Sequence, residues 1–475
     1  MMYKDIVRVD KSLRPYQQTA KGQIFSAWDD CDNVMFQMPT GTGKTRLFTS
    51  IISDIKAWGI FTQRDPKILI IAHRVELIEQ ISENLDRYKV SHGIIAGGKE
   101  RNLRPLVQVA SIQTITHRTN KDVANSLGVD FIIIDEAHHS TANSYKKLWE
   151  LYPNAKKLGV TATPWRMNHL GFTSIYDKLI VSKSIKEFID EGWLAPYSYY
   201  SIKDNSSIRQ NISGIDEYDI EGDYKVSALE RVMDKVSIRA NLLDSYLKLA
   251  KGKKGIIYSI SRKHSDHICE EYKQAGVNIV RIDSETPREE RRMYVQRFRN
   301  GQIDIIVNVD IFSEGFDCPD IEFIQLARPT KSLVKYLQQV GRGLRPTSGK
   351  GKCIILDNVG SHIEFDLPNA DRDWDAEFNG ELGSTKKKRS SSAKHVDIEY
   401  KERNYTEGAD ELSLIDDVDG VVSNEESVIS WKEEDDNLLR TLFVDRKCAL
   451  SVIASVFDKD EVAIKDRLIE LNLIQ

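Results

Sequence analysis

A phosphate-binding loop is the sequence feature that most constrains this chain. The heptapeptide PTGTGKT at residues 39–45 follows the apolar run 34–37 and precedes a helical pattern. Glycines allow the backbone to curl so that its N–H groups converge on phosphate oxygens at a helix start. Met38 stands where the GxxxxGK[ST] pattern usually has its first glycine, but the lysine and hydroxyl that meet phosphate and Mg2+ are kept. The pattern predicts a nucleoside-triphosphate and Mg2+ site built from Thr40, Gly41, Thr42, Gly43, Lys44 and Thr45.

A second chemical signal lies at the end of another apolar run. The octapeptide FIIIDEAH at residues 131–138 places Asp135 and Glu136 directly after a strand-like segment. Two adjacent carboxylates at the end of a buried strand are unfavourable without a nearby cation. We predict that Asp135 holds Mg2+ through water and that Glu136 polarises the attacking water as a general base. The alternative, an acidic strand end that caps the next helix, fits less well beside a phosphate loop.

A pair of arginines in the second α/β part of the chain forms the third signal. In the segment QQVGRGLR at 338–345, Arg342 and Arg345 are three residues apart and so share one helical face. Both could reach a γ-phosphate, and arginine fingers of this kind accelerate GTP hydrolysis by roughly 10³ to 10⁵. Taken alone, two arginines on a helix usually belong to a solvated face. Beside a phosphate loop, we favour the finger interpretation.

The strand pattern indicates an α/β chain with parallel sheets. Short β-branched runs alternate with helical patterns such as 74–88. In the first part of the chain the expected strands are 34–37, 68–72, 107–110, 131–134 and 157–160. A second series begins at Gly255, with strands expected at 256–259, 278–282, 303–309, 321–326 and 352–356.

The length of 475 residues predicts about three domains. The strand series and the composition shift after residue 365, where apolar residues become sparse, set the expected boundaries. We predict a nucleotide-binding α/β domain at 1–200, a connecting helical segment at 201–250 and a second α/β domain at 251–365. A flexible acidic linker is expected at 366–426 and a small helical domain at 427–475.

Composition excludes several classes of protein. Lys plus Arg is 67 and Asp plus Glu is 72, a net charge of -5, so any nucleic-acid site must be a local basic groove. The apolar runs are strand length and far short of the ~20 residues that cross a bilayer. The five cysteines are scattered and never spaced as CxxC, which disfavours a disulfide framework or zinc ribbon. We expect no membrane association and a reducing, cytoplasmic setting in a bacterial cell or phage-infected host.

Together with further motifs, these residues resemble superfamily 2 helicases and translocases with a DEAH-type box. The resemblance covers Leu13 to Asn358 and is strongest to the bacterial and phage group related to RadD, XPB and the motor subunit of type III restriction enzymes. It implies two tandem RecA-like domains with parallel sheets and ATP bound in the cleft between them. The matching segments follow the order of the family motifs: LRPYQ at 13–17, AHRVELIEQ at 72–80, SIQT at 111–114, TATP at 161–164, IIYS at 256–259, 308–319 and 338–345.

The resemblance also implies roles for single residues. Gln17 would read the adenine, with Arg14 beside it, and motif V would add Gly315 and Asp317 to the ATP site. Motif VI implies that Gln338 acts with the two arginines, and motif III implies coupling of hydrolysis to the grip on a strand. The residues expected to contact nucleic acid are Arg74, Ser111, Thr114, Thr161, Thr163 and Ser259. RadD-like proteins carry a C-terminal cysteine cluster that this chain lacks, so partner recognition does not carry over.

The C-terminal tail predicts a small all-α domain. Apolar positions between 431 and 473 have the spacing of three short helices, which resembles a helix-turn-helix or SANT/Myb-like module. Lys465 and Arg467 could face DNA; alternatively, the bundle docks on a protein partner. Upstream, DIEYK at 397–401 looks like half of a nuclease site, but its polar flanks favour chance.

The sequence therefore predicts an ATP- and Mg2+-dependent helicase or translocase that acts on DNA, single-stranded or forked, in replication, recombination or repair. An RNA helicase with the same ATP-hydrolysing machinery is one alternative. A duplex-translocating motor subunit of a restriction or defence complex is another. A nucleotide-gated binding protein with negligible turnover is a third.

Overall fold

A computed structural model of the protein describes most of the chain. The described residues are 2–309, 318, 320–347, 349–383 and 411–420, together with 439–440, 443–444, 450, 453, 464–465, 467–468, 471 and 473. By their contacts they divide into two compact units, one of residues 1–346 and 350–422 and the other of 347–349 and 423–475. The larger unit contains two β-sheets, and each sheet with its helices is called a lobe below.

The sheet of the first lobe is entirely parallel. Its strands lie in the order β3-β4-β2-β5-β6-β1-β7, and the central β2 and β5 are buried along their whole length. Burial on both faces explains why these strands are continuous apolar runs rather than alternating ones. The strands are β1 Asn33–Gln37, β2 Ile68–Ala72, β3 His92–Ile95, β4 Val107–Ser111, β5 Phe131–Asp135, β6 Lys156–Thr161 and β7 Lys178–Val181.

Helices cover both faces of this sheet. The third helix illustrates the cause, since its buried residues Leu77, Ile78, Ile81 and Leu85 recur at helical spacing and form one apolar stripe. The helices are α1 Pro15–Asp30, α2 Lys44–Thr62, α3 Val75–Arg87, α4 Ile112–Ile115, α5 Lys121–Leu127, α6 Asn143–Leu151 and α7 Ile185–Asp190. Short 3-10 turns occupy Tyr3–Ile6, Arg118–Asn120 and Ala137–His139.

The sheet of the second lobe has the order β10-β11-β9-β12-β13-β8-β14. All of its strand pairs are parallel except the edge pair, in which β14 runs antiparallel to β8. The strands are β8 Tyr197–Ser201, β9 Gly255–Tyr258, β10 Ile279–Ile282, β11 Ile305–Asn308, β12 Phe323–Leu326, β13 Cys353–Asp357 and β14 Ser413–Val418. The helices are α8 Ser207–Ser213, α9 Val226–Met233, α10 Val236–Leu249, α11 Arg262–Gln274, α12 Arg288–Arg299, α13 Leu333–Gly343, α14 Ser361–Phe365 and α15 Trp374–Asn379, and a 3-10 turn occupies Glu381–Gly383.

Two predicted domain boundaries differ from this architecture. All of strand β8 except Ser201 lies inside the range 1–200 assigned to the first domain, yet the strand pairs with β13 of the second sheet. Its burial alternates, with Tyr197, Tyr199 and Ser201 on the inward face, a pattern that does not reveal which sheet the strand joins. The linker expected at 366–426 is wrong over part of its length, because α15 and β14 lie within it. Ion pairs from Lys352 to Asp417 (2.8 Å) and Asp419 (2.7 Å) help to hold the acidic β14 segment at the edge of the sheet.

The chain returns to the first lobe between α14 and β14, before the last strand of the second sheet is added. We call residues 366–383 the return segment. The backbone N–H of Phe172 donates to the carbonyl of Phe378 over 2.7 Å, and the Phe378 ring stacks on Phe172 and joins the apolar cluster on one face of the first sheet. Glu377 pairs with His169 at 3.3 Å. The second lobe is thus connected to the first both before β8 and after α14.

The smaller unit has an apolar centre of its own. Leu439, Ile453, Ile464 and Leu468 are buried together, with Phe443, Leu450, Leu471 and Leu473 packed against them. The comparison with helix-turn-helix or SANT/Myb-like modules stays a prediction, and the segments 386–389 and 397–401 lie outside the described residues. Across the part of the chain that the structure describes, no helix is long and apolar enough to span a bilayer.

Candidate nucleotide site and catalytic cleft

The phosphate loop joins β1 to α2 through a tight turn. Gly41 and Gly43 have φ angles of 89° and 88°, in the left-handed region that favours glycine. A Cβ at residue 43 would collide with the side-chain amide of Gln17. The Thr42 hydroxyl donates to the carbonyl of Pro39 over 2.7 Å, which closes the loop. The turn brings backbone N–H groups to the start of α2, the arrangement that binds phosphate.

Lys44 is the first residue of α2 and points back across the loop. Its Nζ donates to the carbonyls of Met38 and Pro39 at 3.3 and 3.5 Å. Burial lowers the pKa of the Lys44 ammonium, the charges of Glu136 and Asp135 oppose this shift, and Arg342 and Arg345 add to it. The ammonium therefore lies among the carboxylates of one lobe and the guanidinium groups of the other.

Gln17 ties the N-terminus of α1 to the phosphate loop. Its Nε2 donates to the carbonyls of Thr42 (3.0 Å) and Gly43 (3.2 Å), and its Oε1 accepts from the backbone N–H of Arg14 (2.9 Å). The hydroxyl of Tyr16 also donates to the Thr42 carbonyl, over 2.8 Å. These hydrogen bonds from α1 thus fix the conformation of the phosphate loop. That Gln17 reads the adenine stays a prediction.

An aromatic group beside Arg14 was not predicted from the sequence. The guanidinium of Arg14 lies 4.9 Å from the centre of the Trp193 ring, within cation–π range. Tyr16 packs edge-on against Phe188 and Trp193, with ring centres 4.8 and 5.5 Å away. Trp193 belongs to the loop between α7 and β8, where no motif marks it. Trp193 comes close to Arg14 and Tyr16 at the start of α1 only because of the way this loop packs in the fold.

Asp135 and Glu136 lie at the carboxyl end of β5 and are both buried. Glu136 has a φ of 51°, unusual for a residue other than glycine, and its N–H donates to Asp135 Oδ1 over 3.1 Å. Its buried Oε2 accepts no hydrogen bond from the described residues. A buried carboxylate oxygen without a donor, next to a second buried carboxylate, fits a site that also holds Mg2+ and a water. Asp135 and the Thr45 hydroxyl are the residues suited to hold the metal.

His138 connects this carboxylate pair to β6. Its Nδ1 lies 3.1 Å from the Thr161 hydroxyl and 3.5 Å from Glu136 Oε2. The Thr161 hydroxyl also accepts from the backbone N–H of Thr163 over 3.1 Å. Thr161 and Thr163 are almost fully buried. The structure places these two predicted nucleic-acid contacts beneath the carboxylates, within the first lobe.

Helix α13 and the residues that follow it bring the arginines to the phosphate loop. Arg342 lies on α13, but the helix ends at Gly343 and Arg345 lies beyond its C-cap Leu344, so the expectation that both share one helical face is wrong. Gly341 packs on Thr40, and a Cβ at Gly41 would lie 3.2 Å from Cγ of Arg345. Gln338 and Arg342 are buried on the same helix. The predicted catalytic residues of the second lobe therefore meet those of the first across the cleft.

The C-terminal end of α13 is held by a residue that the sequence did not single out. The buried Nζ of Lys350 donates to the carbonyls of Gly343 (2.6 Å) and Arg345 (2.9 Å). An ammonium at a helix C-terminus is electrostatically favourable. Lys350 thereby fixes the backbone that carries Arg345.

Ion pairs also join the lobes away from the phosphate loop. Arg291 of α12 pairs with Glu76 of α3 at 2.9 Å, and Arg288 pairs with Glu79 at 2.5 Å. Lys99 of the first lobe shares Glu79, at 2.7 Å. These contacts hold α12 beside α3, next to Arg74.

The remaining predicted nucleic-acid residues fall in two places. Arg74 precedes α3 at the end of β2, and Ser111 ends the neighbouring β4, where Ala72 pairs with Ser111; Thr114 follows on α4. Ser259 instead lies in the second lobe with its hydroxyl buried, 2.6 Å from Ser265 Oγ and 3.2 Å from the Asn308 carbonyl. A phosphate contact by Ser259 would require these bonds to break. Gly315 and Asp317 lie outside the described residues.

Comparison with known proteins agrees with this arrangement. Residues 10–166 match the family model of the type III restriction enzyme res subunit, and residues 237–347 match the helicase conserved C-terminal domain. A 51.5 kDa protein of a Lactococcus phage (isolate 7-9) is 36% identical over 73% of this chain and 70% of its own length. A Saccharomyces cerevisiae protein classed as an ATP-dependent helicase, IRC3, is 32% identical over 74% of this chain. The alignment spans 52% of the yeast protein, so this chain covers about half of it.

A solved structure extends the likeness to the fold. The ATP-dependent type ISP restriction-modification enzyme LlaBIII, bound to DNA, superposes with a TM-score of 0.55 at 16% identity, over 74% of this chain and 28% of that chain. Two tandem RecA-like lobes with a nucleotide site between them define a nucleic-acid-dependent motor ATPase. The chain belongs to the superfamily 2 helicases, and it is an ATP-hydrolysing enzyme of that family.

Proposed function

We propose that the protein is a DNA-dependent ATPase that moves along or unwinds DNA in replication, recombination or repair. The observation that carries the motor assignment is the approach of α13 to the phosphate loop, with Gly341 against Thr40. Lys44 and the arginines lie on different lobes, so the catalytic set is complete only when the lobes are together. A cycle of closure and release can then change the grip of each lobe on a strand.

Each residue near the cleft has a proposed part in hydrolysis. Thr45 and Asp135 would hold Mg2+, which supplies charge neutralisation at the phosphates. Glu136 accepts a proton from water at its buried Oε2, and Lys44 neutralises phosphate charge. Arg342 and Arg345 stabilise the charge that develops in the transition state. Arg14, Tyr16 and Trp193 form the wall on which the base is held.

DNA is the favoured substrate for two reasons. The family model that matches the first lobe is that of a restriction enzyme subunit, a class of enzyme that acts on DNA. The structural relative with the same fold was solved with DNA bound. Arg74, Ser111 and Thr114, at the carboxyl ends of neighbouring strands, would offer donors to backbone phosphates of a single or forked strand.

The choice of substrate can be tested directly. ATP hydrolysis is measured with single-stranded, duplex and forked DNA and with RNA of equal length. Stimulation by DNA in preference to RNA supports the proposal, and equal or RNA-only stimulation contradicts it. Glu136→Gln serves as the catalytic control, because a variant as active as the wild type would favour a nucleotide-gated binding protein over an enzyme.

A duplex-translocating motor of a restriction or defence complex is the second candidate. The match to the type III restriction res subunit favours it. A triplex-displacement assay separates it from the first candidate when it is run beside a strand-separation assay on forked DNA. Displacement of the third strand without strand separation would support the duplex translocase.

A further inference from the structure

Three histidine rings lie in a row in the first lobe. His73 follows β2, and His138 and His139 lie in the 3-10 turn after β5. The ring centres of His73 and His139 are 4.3 Å apart, and those of His139 and His138 are 4.2 Å apart. The row spans the two neighbouring strands β2 and β5. It joins two loops that the chain separates by more than sixty residues.

One end of the row reaches the proposed general base. His138 is 3.5 Å from Glu136 Oε2 and 3.1 Å from the Thr161 hydroxyl. Glu136 and the histidine pair also share the short turn, since the N–H of His139 donates to the Glu136 carbonyl over 3.1 Å. A shift of the His138 ring therefore acts on the side chain of Glu136, and a shift of the His139 backbone acts on its carbonyl.

The other end reaches the proposed strand-binding edge. The carbonyl of His73 accepts from Gln113 Nε2 over 3.1 Å, and Gln113 Oε1 accepts from the Ser111 hydroxyl over 2.6 Å. Arg74 is the next residue in the chain. Binding of a phosphate at Arg74 or Ser111 would compete with these bonds and move the backbone at His73.

We propose that His73 and His139 are positioning residues that transmit occupancy of the strand-binding edge to Glu136. This inference rests on the proposed function, because it requires that nucleic acid binds near Arg74 and Ser111. The contacts run without a gap from Ser111 through Gln113, His73, His139 and His138 to Glu136. Glu136 has an uncommon backbone conformation, with φ 51°, and such residues persist only where their surroundings hold them. A displaced histidine row would therefore change how Glu136 is presented to water.

The decisive variants are at His139, which is exposed and belongs neither to the proposed ATP site nor to the residues expected to contact nucleic acid. His139→Ala removes the ring between His73 and His138, and His139→Phe keeps a ring of similar shape without the nitrogens. Measurements are the ATPase kcat without nucleic acid, the kcat with saturating single-stranded DNA, and the Kd for a labelled oligodeoxythymidine. We expect His139→Ala to keep the basal kcat and the Kd within about twofold and to lose at least roughly tenfold of the stimulation, a change of about 1.4 kcal/mol in barrier. His139→Phe should recover most of the stimulation.

A control and a double substitution separate coupling from general damage. His117 is an exposed histidine of the same lobe whose ring is hydrogen-bonded to Thr119 instead, so His117→Ala should leave stimulation unchanged. The stimulation lost by His73→Ala and His139→Ala together should equal that lost by one of them, since residues in one chain of contacts are not additive.

The outcomes distinguish this inference from the proposed function. A wild-type protein that no nucleic acid stimulates would refute the proposed function and the coupling together. A stimulated wild type with a fully stimulated His139→Ala variant would refute the coupling alone. Equal loss of basal and stimulated turnover in His139→Ala would also refute it, because the histidine would then serve catalysis or folding rather than communication.

Discussion

Gly341 of α13 packs directly on Thr40 of the phosphate loop, so closely that a Cβ at residue 341 would lie 2.8 Å from the Thr40 Cβ. The backbone of the second lobe thus meets a side chain of the phosphate loop directly. Because the next residue is Arg342, this contact sets how far the guanidinium reaches toward the phosphates. The absence of a side chain at 341 is a requirement of lobe closure.

We predict that Gly341→Ala impairs turnover without preventing nucleotide binding. The methyl group would hold the lobes apart, and a displacement of a few tenths of an ångström at catalytic groups is costly. We expect kcat to fall by roughly tenfold or more, equivalent to about 1.4 kcal/mol, while the Kd of a fluorescent ATP analogue stays similar. Gly22→Ala in α1 is the matched control, since a Cβ there meets no atom within 4 Å. An unchanged kcat in Gly341→Ala would mean that closure does not depend on this contact.

Lys44 and Arg345 should differ in the step they affect. Lys44→Ala removes the cation that already lies in the phosphate loop, so we expect nucleotide affinity to fall. Arg345→Ala removes a group supplied by the other lobe, so binding should be retained and kcat should fall by roughly 10³. Binding is measured by equilibrium titration with the ATP analogue and kcat by steady-state phosphate release.

Arg292→Ala is the control for charge removal, because this arginine is largely exposed on α12 and pairs only loosely with Glu289, at 3.9 Å. It should behave like the wild type in both assays. A kcat of Arg345→Ala equal to that of the wild type would show that Arg345 is not an arginine finger.

Nucleic-acid affinity should fall steeply with salt concentration. Phosphate contacts release counterions, so the logarithm of the binding constant decreases linearly with the logarithm of salt concentration. Arg74→Ala should flatten the slope by about 0.7 for single-stranded DNA, the effect of one lost phosphate contact. Arg87→Ala, an exposed arginine at the other end of α3, should leave the slope unchanged. Anisotropy titrations at several salt concentrations measure both slopes, and identical slopes for Arg74→Ala and wild type would exclude a phosphate contact at Arg74.

The second lobe should lose stability in mild acid because of His264. Burial lowers the pKa of this imidazole from 6.5 to about 4, the charge of Asp234 opposes the shift, and Arg239 and His267 add to it. Between these two pH values the unfolded chain binds a proton that the folded chain does not, so the free energy of unfolding falls as pH decreases from 6.5 toward 4. The total contribution is about 3 kcal/mol.

His264→Asn provides the comparison, because an asparagine oxygen can accept from the N–H of Ile260 as Nδ1 does over 3.3 Å. Urea unfolding of wild type and variant at pH 7.5 and 5 gives the difference. The wild type should lose more stability than the variant over this interval, whereas His117→Asn should match the wild type. Parallel losses in all three proteins would show that His264 does not titrate on unfolding.

The central strands and the catalytic motifs could be predicted because their signals are local. A strand buried on both faces, such as Phe131–Asp135, is a continuous apolar run, and a phosphate loop is one uninterrupted segment. The expected bounds of these strands differ from the observed ones by at most two residues, and those of β2 coincide with the observed ones. The agreement follows from burial, which leaves few alternatives for such sequences.

The parts that sequence could not supply depend on tertiary contacts. Strand β14 is acidic and only partly buried, and it forms a strand because β8 offers an unpaired edge. Trp193 reaches Arg14 only through the packing of α7. His139 gains a neighbour from β2 because parallel strands end at the same edge of the sheet. None of these contacts produces a periodic pattern of residues in the sequence.

The return segment has a mechanical consequence for the motor. Since Phe378 is fixed in the first lobe by its carbonyl and its ring, the second lobe is anchored to the first both before β8 and between α14 and β14. Two anchors leave rotation between the lobes but restrict their separation, and they reduce the conformational entropy that the open form can gain. The nucleotide-free protein should therefore close its cleft again at little cost in conformational entropy. Each cycle of ATP hydrolysis should change the angle between the two lobes rather than the distance between them.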